Sequence, residues 1–190
     1  MINQNTGFIA RPLILLIILS LTSVGLAETT IEQHPPHEHG AASLTIALDA
    51  NTLQIDLESP ADNIFGFEYA PSSKDDKNKI KDAVTQLKDA EALFSIPEGA
   101  HCHLDQVTVS SPMLENSHAD NNASNEHHHA HNDVDTSWAF TCQSGKQLTQ
   151  ITPHFFTVFP HGFKQLKVDW LTPAGASSSL ITEDKMINLK

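Results

Sequence analysis

Ser43-Leu44-Thr45-Ile46-Ala47-Leu48-Asp49-Ala50-Asn51-Thr52-Leu53-Gln54-Ile55-Asp56-Leu57 alternates strictly between apolar and polar residues on either side of a short polar break. A period of two is the signature of a strand with one buried face, and Asp49-Ala50-Asn51 has turn chemistry, so the stretch predicts a β-hairpin. Leu44, Ile46 and Leu48 then share a core face with Leu53, Ile55 and Leu57.

Working outward, Glu58-Ser59-Pro60 ends the second strand, and a less regular stretch runs through Phe65-Gly66-Phe67-Glu68-Tyr69 to Pro71. Serines then precede Ile80, Ala83, Val84, Leu87, Ala90 and Phe94, which recur at three- and four-residue steps. That period predicts one long amphipathic helix, capped by serine and ended by Pro97 and Gly99. Further strands are expected around Leu104 to Val109, Trp138 to Cys142, Phe155 to Phe159 (apolar enough to be central) and Lys167 to Leu171. A turn at Thr172-Pro173-Ala174-Gly175 and a weak strand pair over Leu180 to Leu189 complete the reading. About seven strands and one long helix suggest an α+β fold, mostly antiparallel β-sheet or sandwich, in a single domain over residues 41–190.

The first 27 residues read as a signal peptide: a polar start with Arg11, the apolar run Leu13 to Leu21, and Gly25-Leu26-Ala27 as a small-residue cleavage site. The run is about half of what a spanning helix needs, so no stable membrane insertion is expected after cleavage. Removing Arg11, the single arginine, leaves ten lysines against 23 acidic residues. Such a chain has no basic patch for phosphates and no guanidinium to read guanine, which excludes nucleic acid and favours cations as partners.

Twelve histidines outnumber lysine and arginine together. They cluster twice. His34-Pro-Pro-His37-Glu38-His39 forms an arm over residues 28–40, and a tract within residues 115–134 carries His118, Asp120, Glu126, His127, His128, His129, His131 and Asp133. Neutral imidazole and carboxylate suit a borderline divalent ion such as Zn²⁺, with Cu²⁺ or Ni²⁺ as the alternatives. The tract has no apolar periodicity and is expected to be disordered without a ligand. His37 and His39, two apart in an extended segment, would face one side and start a site that His101, His103 or His154 could complete. His154 and His161 otherwise read as structural. Cys102 and Cys142 admit two readings, a disulfide favoured in an oxidising compartment or soft metal ligands beside His101 and His103. No His-Glu-x-x-His, Gly-x-Ser-x-Gly or glycine-rich phosphate motif is present, so no enzyme is expected.

His34-Pro-Pro-His37-Glu38-His39-Gly40, Glu58-Ser59-Pro60-Ala61-Asp62-Asn63-Ile64-Phe65-Gly66-Phe67-Glu68, Trp138-Ala-Phe140-Thr-Cys142 and Phe155 to Pro160 together resemble the ZrgA (zinc-regulated protein A) family. The resemblance implies a periplasmic protein that binds zinc through His37, His39 and tract histidines, pairs Cys102 with Cys142, and assists uptake alongside zinc transport components. The alternatives are copper or nickel buffering and an envelope protein-interaction domain.

Overall fold

The computed structural model describes residues 38–115 and 132–190. The expected signal peptide, His34 and His37 of the arm, and His118, Asp120, His127, His128, His129 and His131 of the tract lie outside the described residues.

The hairpin forms as its alternation requires. Strand β1 (Ala41–Asp49) pairs antiparallel with β2 (Thr52–Pro60) from Asp49↔Thr52 to Ser43↔Glu58. All six alternating apolar residues are buried on one face. β2 continues antiparallel to β5 (Asp133–Cys142), which pairs with β4 (Cys102–Ser110). On the other side β1 pairs with β7 (Gln165–Thr172), and β7 with β8 (Gly175–Ile181), giving the order β4-β5-β2-β1-β7-β8. A second, three-stranded sheet joins β3 (Phe94–Ser95), β6 (Gln150–Pro153) and β9 (Ile187–Asn188). The fold is therefore mostly β-sheet with several short helices, but it is not wholly antiparallel: β1 and β7 run parallel, Ala41↔Gln165 to Ala47↔Leu171. A long connection separates them, as parallel neighbours require.

The long helix ends earlier than its apolar period suggests. Helix α2 (Lys74–Lys88) starts with a capping box, in which Ser73 Oγ accepts from the Asp76 amide at 3.0 Å and Asp76 Oδ2 accepts from the Ser73 amide at 3.1 Å. These bonds hold the Asp76 carboxyl below its usual range. At the other end the indole N–H of Trp138 donates to the Leu87 carbonyl at 2.8 Å, taking a group that further helix would have used. Asp89 then caps a separate turn, α3 (Ala90–Leu93), and Phe94 passes into β3 opposite Pro153.

Phe155 to Phe159, expected as a central strand, is instead the helical turn α5 (Phe155–Val158). Its cap comes from far along the chain. Asp184 accepts from the amides of Phe156 at 3.0 Å and Thr157 at 3.1 Å, and from the Thr157 hydroxyl. Such a cap satisfies the free amides of a helix start and is invisible to local pattern. The expected pair over Leu180 to Leu189 also changes: β8 begins at Gly175 as the partner of β7, and β9 pairs with β6.

Trp138 sits at the centre of the core, edge-on to Phe94 (5.1 Å between centroids) and Phe155 (6.2 Å), with Phe163 5.5 Å beyond Phe155. Aromatic edges against faces add to the burial of large apolar area. Beside Trp138, Thr136 is buried on the same face of β5, and its hydroxyl has no hydrogen-bond partner among the described residues. A desolvated hydroxyl costs about 1–3 kcal/mol, and valine has nearly the same shape. Thr136→Val should therefore raise the unfolding free energy by about 1 kcal/mol in urea denaturation; unchanged or lower stability would show that the hydroxyl is not a burden.

Candidate metal centre

The site begins with a bolt. Asn63 lies in α1 (Ala61–Phe65), the short helix after β2, and is almost fully buried. Its Oδ1 accepts from the Gly40 amide at 2.7 Å, while Nδ2 donates to the Ala41 carbonyl at 2.9 Å and Ser59 Oγ at 3.1 Å. One carboxamide thus ties the start of β1 to the end of β2. Gly40 adopts φ 93°, a left-handed conformation that glycine enters without cost. Its carbonyl accepts from the amides of Lys164 and Gln165, so the chain before β7 is fastened to the same point. Gly162 completes the crossing, because a Cβ there would lie 1.8 Å from the Asn63 carbonyl oxygen.

This packing places His39, in the turn before β1, beside α1 and the segment that follows it. His39 Nδ1 is 2.9 Å from Asp62 Oδ2, and His39 Nε2 is 3.6 Å from Glu68 Oε2. His39 is exposed and the two carboxylates are partly exposed. Glu68 is positioned by a left-handed C-cap at Gly66, whose amide donates to the Asp62 carbonyl, and by stacking of Phe67 on Tyr69 at 4.7 Å. Asn132 secures the same segment: its side chain donates to the Glu68 carbonyl, and its own carbonyl accepts from the Ala61 amide at 2.8 Å. The histidine tract ends one residue before Asn132 in sequence.

The two carboxylates flank opposite edges of one imidazole. In the neutral ring, Nδ1–H donates to Asp62, which leaves the Nε2 lone pair facing the Glu68 carboxylate. Two acceptors face to face call for a cation between them. A proton answers that demand. The Asp62 hydrogen bond, the negative charge of Glu68 and that of Asp62 raise the His39 pKa above 6.5, against smaller opposition from desolvation and Lys164. A metal ion could answer it too. Two ligands bound at about 2.0–2.2 Å in a tetrahedron lie roughly 3.3–3.5 Å apart, close to the Nε2–Oε2 separation. Asp62 would then be the carboxylate that holds the ring in the ligating tautomer.

The remaining predicted ligands are spread out. His101 adopts φ 48° at the end of a 3₁₀ turn, and with exposed His103 of β4 it lines a cleft of about 950 Å³ that also contains Asp89, Glu91 and Glu98. Asp133 begins β5 opposite Pro60 and so belongs to a strand rather than to the loop. His154 bonds to Ser95 Oγ at 2.7 Å through Nε2, and His161 lines a cavity beside Asp62. Cys102 and Cys142 form a disulfide between register-paired residues of β4 and β5 and are not metal ligands. Among the described residues, no group of three or more His, Cys, Asp or Glu side chains is arranged to hold a metal ion alone. Asp62 and Glu68 escaped the sequence reading as partners of His39. Both lie in the segment from Ser59 to Glu68, but nothing local says that it folds against residue 39.

The ZrgA family zinc uptake protein profile matches residues 36–187. The chain belongs to this family, and its role concerns zinc. No curated protein matches it. Among the described residues, no helix is long and apolar enough to cross a membrane.

Following the His39 ring signals by NMR through a pH titration should give a pKa above 6.5, falling back toward that value in Asp62→Asn. Because the folded pKa is raised, His39 contributes stability that is fully present below about pH 6.5 and is lost as pH rises through the folded value. Gly162→Ala should destabilise the fold by about 1–3 kcal/mol through overpacking against the Asn63 backbone; a wild-type melting temperature would count against the bolt.

Proposed function

We propose that this chain is a periplasmic zinc-capturing protein that assists zinc uptake under limitation, and that it acts by chelation rather than catalysis. The observation that carries the reading is the His39 Nε2–Glu68 Oε2 pair, spaced like one edge of a zinc coordination sphere, with Asp62 on the far nitrogen. His37, two residues earlier, and the tract histidines His127, His128, His129 and His131 supply further ligands in this proposal. The acidic chain raises the local cation concentration. Export through the N-terminal 27 residues places capture outside the cytoplasmic membrane, where transport components would receive the ion.

Capture requires neutral imidazole, so protons compete with zinc. A raised His39 pKa brings that competition closer to neutrality than for a free imidazole. Affinity should fall as pH drops through the His39 pKa.

Calorimetric titration of the mature protein with Zn²⁺ at about pH 7.5 and 5.5 tests this directly. The wild type should bind at the higher pH and weaken at the lower. Removal of a ligand in His39→Ala or Glu68→Gln should abolish one site, whereas Asp62→Asn should weaken it about 10- to 100-fold, the usual effect of losing an orienting carboxylate. Deleting residues 118–131, which spares Asn132 and its bonds to Glu68 and Ala61, should remove other sites and leave this one. Equal affinities for all variants would overturn the assignment. Tighter selection of Cu²⁺ or Ni²⁺ over Zn²⁺ in competition would favour the buffering alternative.

A further inference from the structure

The six-stranded sheet has two edges, and they are treated differently. β4, at one edge, carries a register shift between Leu104 and Gln106, and charged Asp105 lies at the irregularity, where it accepts from Thr141. A disulfide also joins the start of β4 to β5. Bulges and charges are the usual means of preventing a sheet from growing. β8, at the opposite edge, has none of them. Gly175-Ala176-Ser177-Ser178-Ser179-Leu180-Ile181 carries no charge and no proline, and it pairs with β7 in unbroken register over its whole length. Residues 175–178 are exposed on both faces. Apart from the bonds of the β7–β8 ladder and that from Thr172 to the Gly175 carbonyl, the β8 backbone makes no hydrogen bond among the described residues. An unguarded row of amides and carbonyls is a template for one more strand.

We propose that this strand is a second copy of β8, paired antiparallel about a two-fold axis through Ser178. Three observations favour that occupant. The sequence Ala176-Ser177-Ser178-Ser179-Leu180 is symmetric in character about its centre, so self-pairing sets Ser178 against Ser178, serine against serine, and small Ala176 against large Leu180. Such pairs are favourable across strands, and no like charges meet. The strand is also neutral within a chain of ten lysines and 23 acidic residues, so self-pairing sets no like-charged side chains of β8 against each other. Finally, Leu171 and Leu180 are two of the four large apolar side chains exposed among the described residues, at 59% and 61%. Leu171 pairs with Ala176 in the β7–β8 register. Strands lie about 4.8 Å apart, so the incoming Leu180 lands on Ala176 and roughly 10 Å from Leu171, near enough for the two leucines to close over the alanine. Both copies gain this cover, and the sheet extends to a continuous twelve strands.

An interface of one short strand per copy is small, so the association is weak and depends on concentration. Sedimentation velocity of the mature protein, from about 10 µM to about 1 mM, should show a monomer–dimer equilibrium. Leu180→Lys, which charges the edge at an exposed position, should leave the melting temperature unchanged and the protein monomeric. Both native cysteines are paired, so Ser178→Cys introduces the single free thiol. Residues on the axis would face each other at about 4.5–5.5 Å between Cα atoms, within disulfide reach. Mild oxidation should therefore give a covalent dimer. Ser177→Cys, roughly 8 Å from its symmetry mate in this register, should cross-link much more slowly. A wild type that stays monomeric throughout the range, or equal cross-linking by the two cysteines, overturns the proposal.

Discussion

Everything around the candidate site rests on the buried carboxamide of Asn63. A side-chain amide has two donors and one strong acceptor, and here it satisfies a glycine amide, a backbone carbonyl and a serine hydroxyl where three stretches of chain cross. An unpaired buried amide would be costly, so the arrangement is close to all-or-none. Gly40 and Gly162 fit the same constraint from either side, one by its left-handed backbone and the other by the absence of a Cβ. His39, Asp62 and Glu68, all open to solvent at least in part, borrow their geometry from this buried junction. Chelating groups on flexible segments must be ordered when they bind, and here part of that ordering is already supplied by the fold.

The electrostatics follow the same logic. His39 has a carboxylate at each ring nitrogen and one lysine nearby, so the site favours a positive charge at the imidazole whether the charge is a proton or a metal ion. Those two cations exclude each other at Nε2. In the proposed reading, affinity and pH response are therefore set by one geometry, and changing Asp62 alters both. The disulfide joins Cys102 of β4 to Cys142 of β5, and the sequence between them includes the tract. Asn132, next in sequence after the tract's last histidine, is bonded directly to the Glu68 segment.

Much of the sheet was legible because alternation is a local property. Leu44 to Leu57 predicts its own hairpin, and Lys167 to Leu171 its own strand, since each apolar residue declares its face through its immediate neighbours. Reading failed where a distant group decided the backbone. Phe155 to Phe159 has the composition of a strand, yet the Asp184 carboxylate turns it into a helical cap. The period of α2 runs on to Phe94, but the Trp138 indole takes the Leu87 carbonyl and Phe94 is claimed by β6. The parallel pairing of β1 with β7 likewise depends on a crossover more than a hundred residues long, which no window of sequence contains.

The candidate site divides along the same line. By itself the sequence determined an inventory suited to cations: histidines in two clusters, an excess of carboxylates, two cysteines and an N-terminal segment with the order of a signal peptide. Those are properties of residue type and spacing, and they need no fold to be expressed. Only the tertiary structure decided that His39 meets Asp62 and Glu68, 23 and 29 positions further on, and that β8 is the edge of the sheet among the described residues. The reason is that ligand geometry and sheet order are relations between distant segments, set by which buried groups satisfy one another when the chain closes.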